Sequence, residues 1–408
     1  MSHFAAPFLS VLFILCSLTH MQVGVADVAP IFPLDRIRFP TPGIVAEQVK
    51  FWKKVFYHYP SHTVLIHDTT RPGAVIDIID FKVWAQKKGL KMPGPYQRQK
   101  ICNRYTERYQ KGIERFAKYG LRAEKFGKIE KRLLDVYRQK RAYLEALLKG
   151  QVAIRSQAGL ADEFIVAAKR ASGYLEFMEH EFLRHQVPPH ITRLAFVESM
   201  FNLNARSKVG ASGIWQFMPS TGKLFLTINR YIDERNSPYL ATTAAAKLLR
   251  QNYKALKSWP LAITAYNHGR RGIQRAANRV KSQKLDAIIE DHRSPSFKFA
   301  SKNFYAEFYA AASIYNRLLA EGFIERQRAP NPVVAISIKS PMSLSHILKQ
   351  AKMTLPQLKK WNPHLRRGLW SRFRSKKLQQ KTTVFLPNSK RHLIQKVASL
   401  EAHEKYTL

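Results

Sequence analysis

The sequence predicts a mainly α-helical protein that ends in a small module of mixed strands and helices. Apolar residues recur at helical spacing among dense Lys and Arg between Tyr96 and Leu148. The run from Ala241 to Leu256 has the alanine-rich composition of a tightly packed helix. Near the C-terminus the apolar runs VVAISI and TTVFLP enclose two short helical patterns, which predicts a strand-helix-helix-strand order. With 408 residues, of which 45% are hydrophobic, the chain is long enough for two or three globular domains.

The chain is strongly basic. Lys and Arg number 68 against 28 Asp and Glu, which gives a formal net charge of +40. Such a charge predicts long-range attraction to an anionic polymer or surface. It does not choose among peptidoglycan stems, nucleic acids and an anionic envelope surface, since all of them carry negative groups.

The N-terminus, residues 1–26, has the pattern of a secretory signal peptide. Phe4 to Leu18 is mostly apolar but short for a membrane span, and small residues lead up to Ala26. The mature chain would begin near Asp27 and lie in the periplasm or cell envelope. An uncleaved membrane anchor stays as the alternative, because no Lys or Arg precedes the apolar run. Cys102 would be the one cysteine of the mature chain, which excludes an intramolecular disulfide there.

Residues 27–172 form a basic region that is predicted to be mostly helical. An amphipathic helix is expected near Ile44 to Tyr59, and one short strand in the run HTVLIHD that follows. Interleaved aromatic and basic residues in this region fit either a nucleic-acid surface or an ordinary amphipathic helix. We favour the helix and expect no specific nucleic-acid partner, because no nucleic-acid-binding motif accompanies the pattern. The histidines of this region match no closed zinc pattern, so no metal site is expected.

The most informative stretch runs from Pro188 to Gly222. Its two prolines suit a first helical turn, and helical spacing then puts Glu198 at the end of an apolar stripe formed by Ile191, Leu194 and Ala195. A carboxylate in that position loses hydration, which raises its pKa and keeps it protonated, as a general acid requires. A solvated glutamate at a helix end is the alternative.

The residues after Glu198 favour a sugar-binding site. Gly210 and Gly213 bracket a loop of small residues, and the segment WQFMP sets aromatic, amide and thioether groups side by side. Sugar rings present apolar faces to aromatics and hydroxyls to amides. A second buried helix, LAITAY, is predicted to begin after Trp259 and Pro260 and to bring Tyr266 and Asn267 to the site.

These three segments, in this order and spacing, resemble the goose-type lysozyme and soluble lytic transglycosylase (SLT) superfamily. The runs YLEFMEHEFLRHQVPPHITRLAFVES, YIDERNSPYLATTAAAKLLRQNY and FASKNFYAEFYAA are similar to the membrane-bound lytic murein transglycosylase D group. The resemblance covers about Gly173 to Leu318 and implies a lysozyme-like α domain over residues 173–324. Two departures from the group are Ile214, where Leu is commoner, and Asn303-Phe304-Tyr305, which replaces a Tyr-Val neighbourhood.

The resemblance also implies the roles of the site residues. Glu198 would be the sole catalytic acid/base of an enzyme that needs no cofactor. The substrate-binding residues it implies are Ser199, Gln216, Met218, Tyr266, Asn267 and Tyr305. No second catalytic carboxylate is implied, so the cluster Asp233, Glu234 and Arg235 is interpreted as a structural turn or salt-bridge cluster.

The implied reaction cleaves peptidoglycan glycan strands between N-acetylmuramic acid (MurNAc) and N-acetylglucosamine (GlcNAc) and forms 1,6-anhydroMurNAc. A hydrolytic muramidase of the same fold is one alternative. A non-catalytic peptidoglycan-binding or cell-wall assembly protein is the other. No obligate protein partner can be inferred.

The remaining segments lie after the catalytic domain. Residues 332–388 resemble a degenerate lysin-motif (LysM) domain, in which Ser340-Pro341 stands where a Gly-Asp turn is usual and a basic insertion spans residues 366–381. The interpretations left open are glycan anchoring and a packing module without sugar binding. Residues 389–408 are read as a basic tail.

Overall fold

The computed structural model describes residues 34–325, 333–394 and 400–403, so the predicted signal peptide lies outside the described residues. The described part is mostly helical, which confirms the mainly α class. Its helices are α1 (Gly43–Tyr57), α2 (Phe81–Lys87), α3 (Pro95–Tyr119), α4 (Lys128–Tyr137), α5 (Arg141–Leu148), α6 (Ala161–Arg184), α7 (Leu194–Ser199), α8 (Pro219–Gly222), α9 (Pro238–Leu256), α10 (Trp259–His268), α11 (Arg270–Val280), α12 (Leu285–Asp291), α13 (Phe299–Ala320), α14 (Leu344–Ala351), α15 (Leu355–Trp361), α16 (Arg367–Trp370) and α17 (Arg391–Ile394).

The strands form two three-stranded antiparallel sheets and one two-stranded pair. They are β1 (Thr63–Asp68), β2 (Val75–Asp80), β3 (Ile154–Ala158), β4 (Val333–Ile338), β5 (Met342–Ser343), β6 (Lys377–Leu378), β7 (Thr383–Pro387) and β8 (Leu400–His403).

The N-terminal sheet has the order β2-β1-β3, with Leu65 opposite both Ile78 and Gln157. The single strand expected in this region is β1, and it is buried at all six positions because it is the central strand. The two edge strands were not expected. Strand β3 reads IRSQA, which carries no alternating apolar pattern, so its pairing with β1 is a tertiary effect that local sequence does not encode.

Helix α1 packs on α13 and so joins the core that holds the Glu198 motif. Trp52 of α1 donates from Nε1 to Asn303 Oδ1 at 3.0 Å. Residues between Val64 and Val152 form a separate core around α3 and α4. Helix α6 is continuous through the boundary predicted between residues 172 and 173. The domain boundaries themselves stay predictions.

The C-terminal module contains β4, α14, α15 and β7 in the predicted order, with the short elements β5, α16 and β6 between them. Asn362 holds it together, because its amide donates to the Phe385 carbonyl and accepts from the Phe385 N–H, both at 2.8 Å. Backbone from the predicted tail adds β8 to the other side of β4. Arg366 donates to Asp233 Oδ2 at 2.7 Å and so attaches the module to the loop before α9. The LysM interpretation stays a prediction.

Candidate functional site

Glu198 lies at the end of a short helix whose first three residues are fully buried. A 3₁₀ turn over Pro189–Arg193 leads into this helix, α7. The helix ends because Met200 and Phe201 adopt left-handed backbone conformations, with φ of 49° and 54°. Residues other than glycine take this conformation at a cost of about 1 kcal/mol or more, and such strain concentrates at functional sites.

The Glu198 side chain is half-buried, and its carboxyl group is held in an environment that disfavours charge. Burial raises the pKa of Glu198 to about 8, and the nearby Glu307 carboxyl adds to the effect. Within residues 34–325, 333–394 and 400–403, no hydrogen bond or ion pair to the Glu198 carboxyl group is seen. The group therefore keeps its proton at neutral pH and can donate it.

Glu307 is a site residue that the sequence analysis missed. It lies on α13, and burial raises its pKa to about 8, while the Arg155 guanidinium on β3 opposes the rise. The N-terminal sheet thus contributes a cation to the surroundings of the site. The available signal was that Glu307 is the one acidic residue in a helix of alanines and aromatics. An acid in such a helix invites a functional explanation.

Tyr266 is placed beside Glu198 by α10. Ser258 caps the start of this helix, because its Oγ accepts from the Leu261 N–H at 3.5 Å. The first seven residues of the helix are buried. The Tyr266 hydroxyl donates to the Trp215 carbonyl at 2.9 Å. Burial and the charge of Glu198 raise the pKa of Tyr266 well above its usual value, so the two side chains are electrostatic neighbours.

The loop between Glu198 and α8 is held by side chains that were predicted to bind substrate. Ser199 donates from Oγ to the Ile214 carbonyl at 2.9 Å. Gln216 has a left-handed backbone, with φ of 46°, and its amide donates to the Gly213 carbonyl at 2.8 Å. Both residues therefore position the loop. Met218 follows with its side chain 39% exposed.

Arg235 also holds the loop between Glu198 and α8, through two of its backbone carbonyls. Its guanidinium donates to the carbonyls of Gly210 at 2.7 Å and Phe217 at 2.9 Å. Its remaining donors form a two-point ion pair with Asp233, at 2.8 and 2.9 Å. The ion pair expected in the cluster is confirmed for Asp233 and Arg235, while Glu234 accepts from the Thr227 N–H at 2.7 Å.

A cavity of about 840 Å³ opens next to Tyr266. Asn267 lines it and accepts a hydrogen bond from Ser301 Oγ at 2.9 Å. Amide, hydroxyl and arginine side chains supply most of its polar wall: Gln251, Asn252, Ser296, Arg270, Arg271 and Arg275. The predicted residues Tyr266 and Asn267 thus meet at one concave surface whose groups suit sugar hydroxyls.

Tyr305 does not join this surface, which corrects its expected role in substrate binding. Its side chain is 1% exposed, and its hydroxyl donates to the Pro40 carbonyl at 3.0 Å. Residues two apart on a helix point in nearly opposite directions, so Tyr305 faces away from the side of α13 that carries Glu307. The segment before α1 packs against α13 and buries this tyrosine.

Residues 178–289 match the family model described as Transglycosylase SLT domain, which confirms the resemblance over this stretch. The membrane-bound lytic murein transglycosylase D of Escherichia coli (strain K12) is 26% identical over 196 residues, which are 47% of this chain and 43% of the relative. A protein of Alteromonas sp. (strain M-1), named for tributyltin chloride resistance, is 31% identical over 123 residues, 30% of this chain and 59% of the relative.

Among solved structures, an inactive mutant of the lytic transglycosylase Slt from Pseudomonas aeruginosa aligns with 67% of this chain and 43% of its own, at 16% identity and a TM-score of 0.31. The chain spans less than two thirds of the length of the Escherichia coli and Alteromonas relatives.

No helix in the described part of the chain is both long and apolar enough to cross a membrane. In the same residues no group of three or more His, Cys, Asp or Glu side chains could hold a metal ion.

Proposed function

We propose that this protein is a peptidoglycan lytic transglycosylase that cleaves the β-1,4 bond between MurNAc and GlcNAc and forms 1,6-anhydroMurNAc. The observation that carries the proposal is the Glu198 carboxyl group, whose pKa of about 8 lets it hold a proton beside Tyr266, a residue that also lines the polar cavity. The SLT domain match over residues 178–289 supports the same assignment. Glu198 is the sole general acid/base in this proposal.

In the first step Glu198 gives its proton to the bridging oxygen as the bond from that oxygen to C1 of MurNAc breaks. The oxocarbenium-like C1 is shielded by the acetamido group of the same sugar. In the second step the ionised Glu198 takes the proton of the MurNAc primary hydroxyl, and the oxygen of that hydroxyl bonds to C1. The ring closes, Glu198 regains its proton and no water is consumed.

Glu307 does not supply the second carboxylate of an ordinary glycosidase in this proposal. Such an enzyme needs an ionised nucleophile or base beside its acid. Burial raises the pKa of Glu307 to about 8, so at neutral pH this group is mostly neutral and a poor nucleophile. We assign it as a positioning residue that favours the protonated form of Glu198.

The mass of the products tests the reaction type. Purified sacculi digested by the protein are expected to release muropeptides with anhydro ends, each one water lighter than the hydrolytic product. Mass spectrometry of the digest checks this result. Fragments with reducing ends would instead support a muramidase, and no release of fragments would support a non-catalytic wall-binding protein.

The rate of cleavage is expected to fall as pH rises through about 8, because Glu198 then loses the proton that it must donate. Glu307 ionises over the same pH range as Glu198, and the negative charge that it then carries raises the pKa of Glu198. The Glu307→Gln variant lacks this charge, so its alkaline limb should move to lower pH. Tyr266 and Arg155, which also interact electrostatically with this pair, are unchanged in the variant. Profiles of kcat/KM against pH measure the limb.

Glu107→Gln is the matched control for this experiment. It also replaces a glutamate by a glutamine, but Glu107 is exposed on α3. Its profile should overlay that of the wild type. An alkaline limb that stays in place in Glu307→Gln would show that Glu307 has no electrostatic role at Glu198.

We also propose that the protein is exported and works in the periplasm or cell envelope on peptidoglycan strands. The name of the Escherichia coli relative, membrane-bound lytic murein transglycosylase D, supports an envelope location. The net charge of +40 would favour contact with an anionic envelope surface.

A further inference from the structure

The cavity beside Tyr266 has a wall of unpaired positive charge. Arg270, Arg271 and Arg275 line it, and among the residues that the structure describes its lining contains no Asp or Glu. All three arginines are exposed, and in the part of the chain that the structure describes none of them forms an ion pair. Cationic side chains that line a concave surface focus a positive potential into it.

The packing of α11 presents these arginines together. Ile273, Ala276 and Ala277 bury one face of the helix, so the other face turns outward. Arg271 and Arg275 are four residues apart on that face, where like charges repel. The repulsion is relieved when an anion binds between them.

His268 completes the wall as a neutral group. Burial lowers its pKa, and the nearby His292 and Arg275 lower it further. Its ring contacts Ser301 Oγ through Nδ1 at 3.3 Å. The charge of the wall therefore comes from the three arginines at neutral pH.

The charge of this cavity is not a simple consequence of a basic chain. Three further cavities of the described residues each include at least one carboxylate in their lining: Glu47 in one, Asp162 and Glu163 in the second, and Glu47 and Glu290 in the third. Tyr266, which lies near Glu198, lines the arginine-lined cavity and none of these three.

We propose that the cavity lined by Arg270, Arg271 and Arg275 binds the carboxylates of the peptide that peptidoglycan carries on MurNAc. The inference rests on the proposed function, since it extends the same site to a further part of its substrate. Guanidinium groups form two-point hydrogen bonds with carboxylates, and a volume of about 840 Å³ admits a sugar together with part of a peptide. Peptide-bearing strands are then preferred over bare glycan, and the peptide holds the neighbouring glycosidic bond near Glu198.

Binding in the Glu198→Gln background tests this preference without turnover. Labelled glycan strands are compared before and after an amidase has removed their peptides, and Kd is measured for each. Arg270→Gln, Arg271→Gln and Arg275→Gln, combined in one variant, should reduce the ratio of the two Kd values by about tenfold to a hundredfold. The preference of the unmodified cavity should also weaken as salt is added.

A charge-matched control removes three exposed cations that lie beyond the cavity: Arg279→Gln, Lys281→Gln and Lys284→Gln. It should keep the preference for peptide-bearing strands. Equal Kd ratios in the two triple variants would overturn the inference. If wild-type protein releases no fragments from sacculi, the proposed function fails, and the Kd ratio still decides whether the cavity binds the peptide.

Discussion

Replacing Glu198 by glutamine is expected to lower the rate of peptidoglycan cleavage by about a hundredfold to ten-thousandfold. Glutamine keeps the size of the side chain but can neither donate the proton to the bridging oxygen nor accept the proton of the primary hydroxyl. The two proton transfers therefore fail together. The measurement is the initial rate at which soluble fragments leave purified sacculi, compared with Glu107→Gln.

The same substitution should make the fold more stable, which separates loss of chemistry from loss of structure. Folding raises the pKa of Glu198 from its ordinary 4.5 to about 8, so the folded state loses stability as pH rises through this range. A neutral glutamine avoids that loss. We expect a gain of about 2 kcal/mol above pH 8, a value reduced because the side chain is partly exposed, and no gain near pH 4. Retained activity, or a fall in Tm with rising pH that matches the wild type, would contradict the account.

Gly213→Ala is expected to destabilise the protein strongly, by about 3 kcal/mol or more. Gly213 has a φ of 78°, and a Cβ atom added there would lie 2.0 Å from the carbonyl oxygen of Arg235. The obstacle is backbone, so a side-chain rotation cannot relieve it. The loop would have to move away from the contacts that Arg235 makes with it. Chemical denaturation measures the change in the free energy of unfolding.

Gly322→Ala provides the control, because Gly322 has a similar φ of 73° and nothing lies within 4 Å of the added Cβ. It isolates the backbone penalty alone, about 1 kcal/mol. If Gly213→Ala cost no more than Gly322→Ala, the close approach of the Gly213 loop to Arg235 would be wrong.

The helices that build the site were predictable because their signals are local. The starts of α9 and α10 follow from Ser-Pro and Ser-Trp-Pro, where a serine caps the helix and a proline fits its first turn. The position of Glu198 follows from helical spacing after two prolines. These features depend only on residues within a few positions of one another.

The parts that escaped prediction depend on distant segments. Strand β3 forms because β1 offers it a partner about ninety residues away. Glu307 becomes a site residue only through the packing of α13 near α7. Tyr305 looked like a site tyrosine from its place in a motif, but the segment before α1 covers it. A single sequence holds no direct record of such contacts.

Glu198 must be protonated at neutral pH to act as the general acid, and the pKa of this carboxyl group can be measured directly. Infrared difference spectra between the wild type and Glu198→Gln isolate the band of the protonated Glu198 carboxyl group as pH is raised. We expect the band to persist at neutral pH and to disappear with a midpoint near pH 8. Disappearance near the ordinary value of 4.5 would contradict the proposed acid and the mechanism built on it.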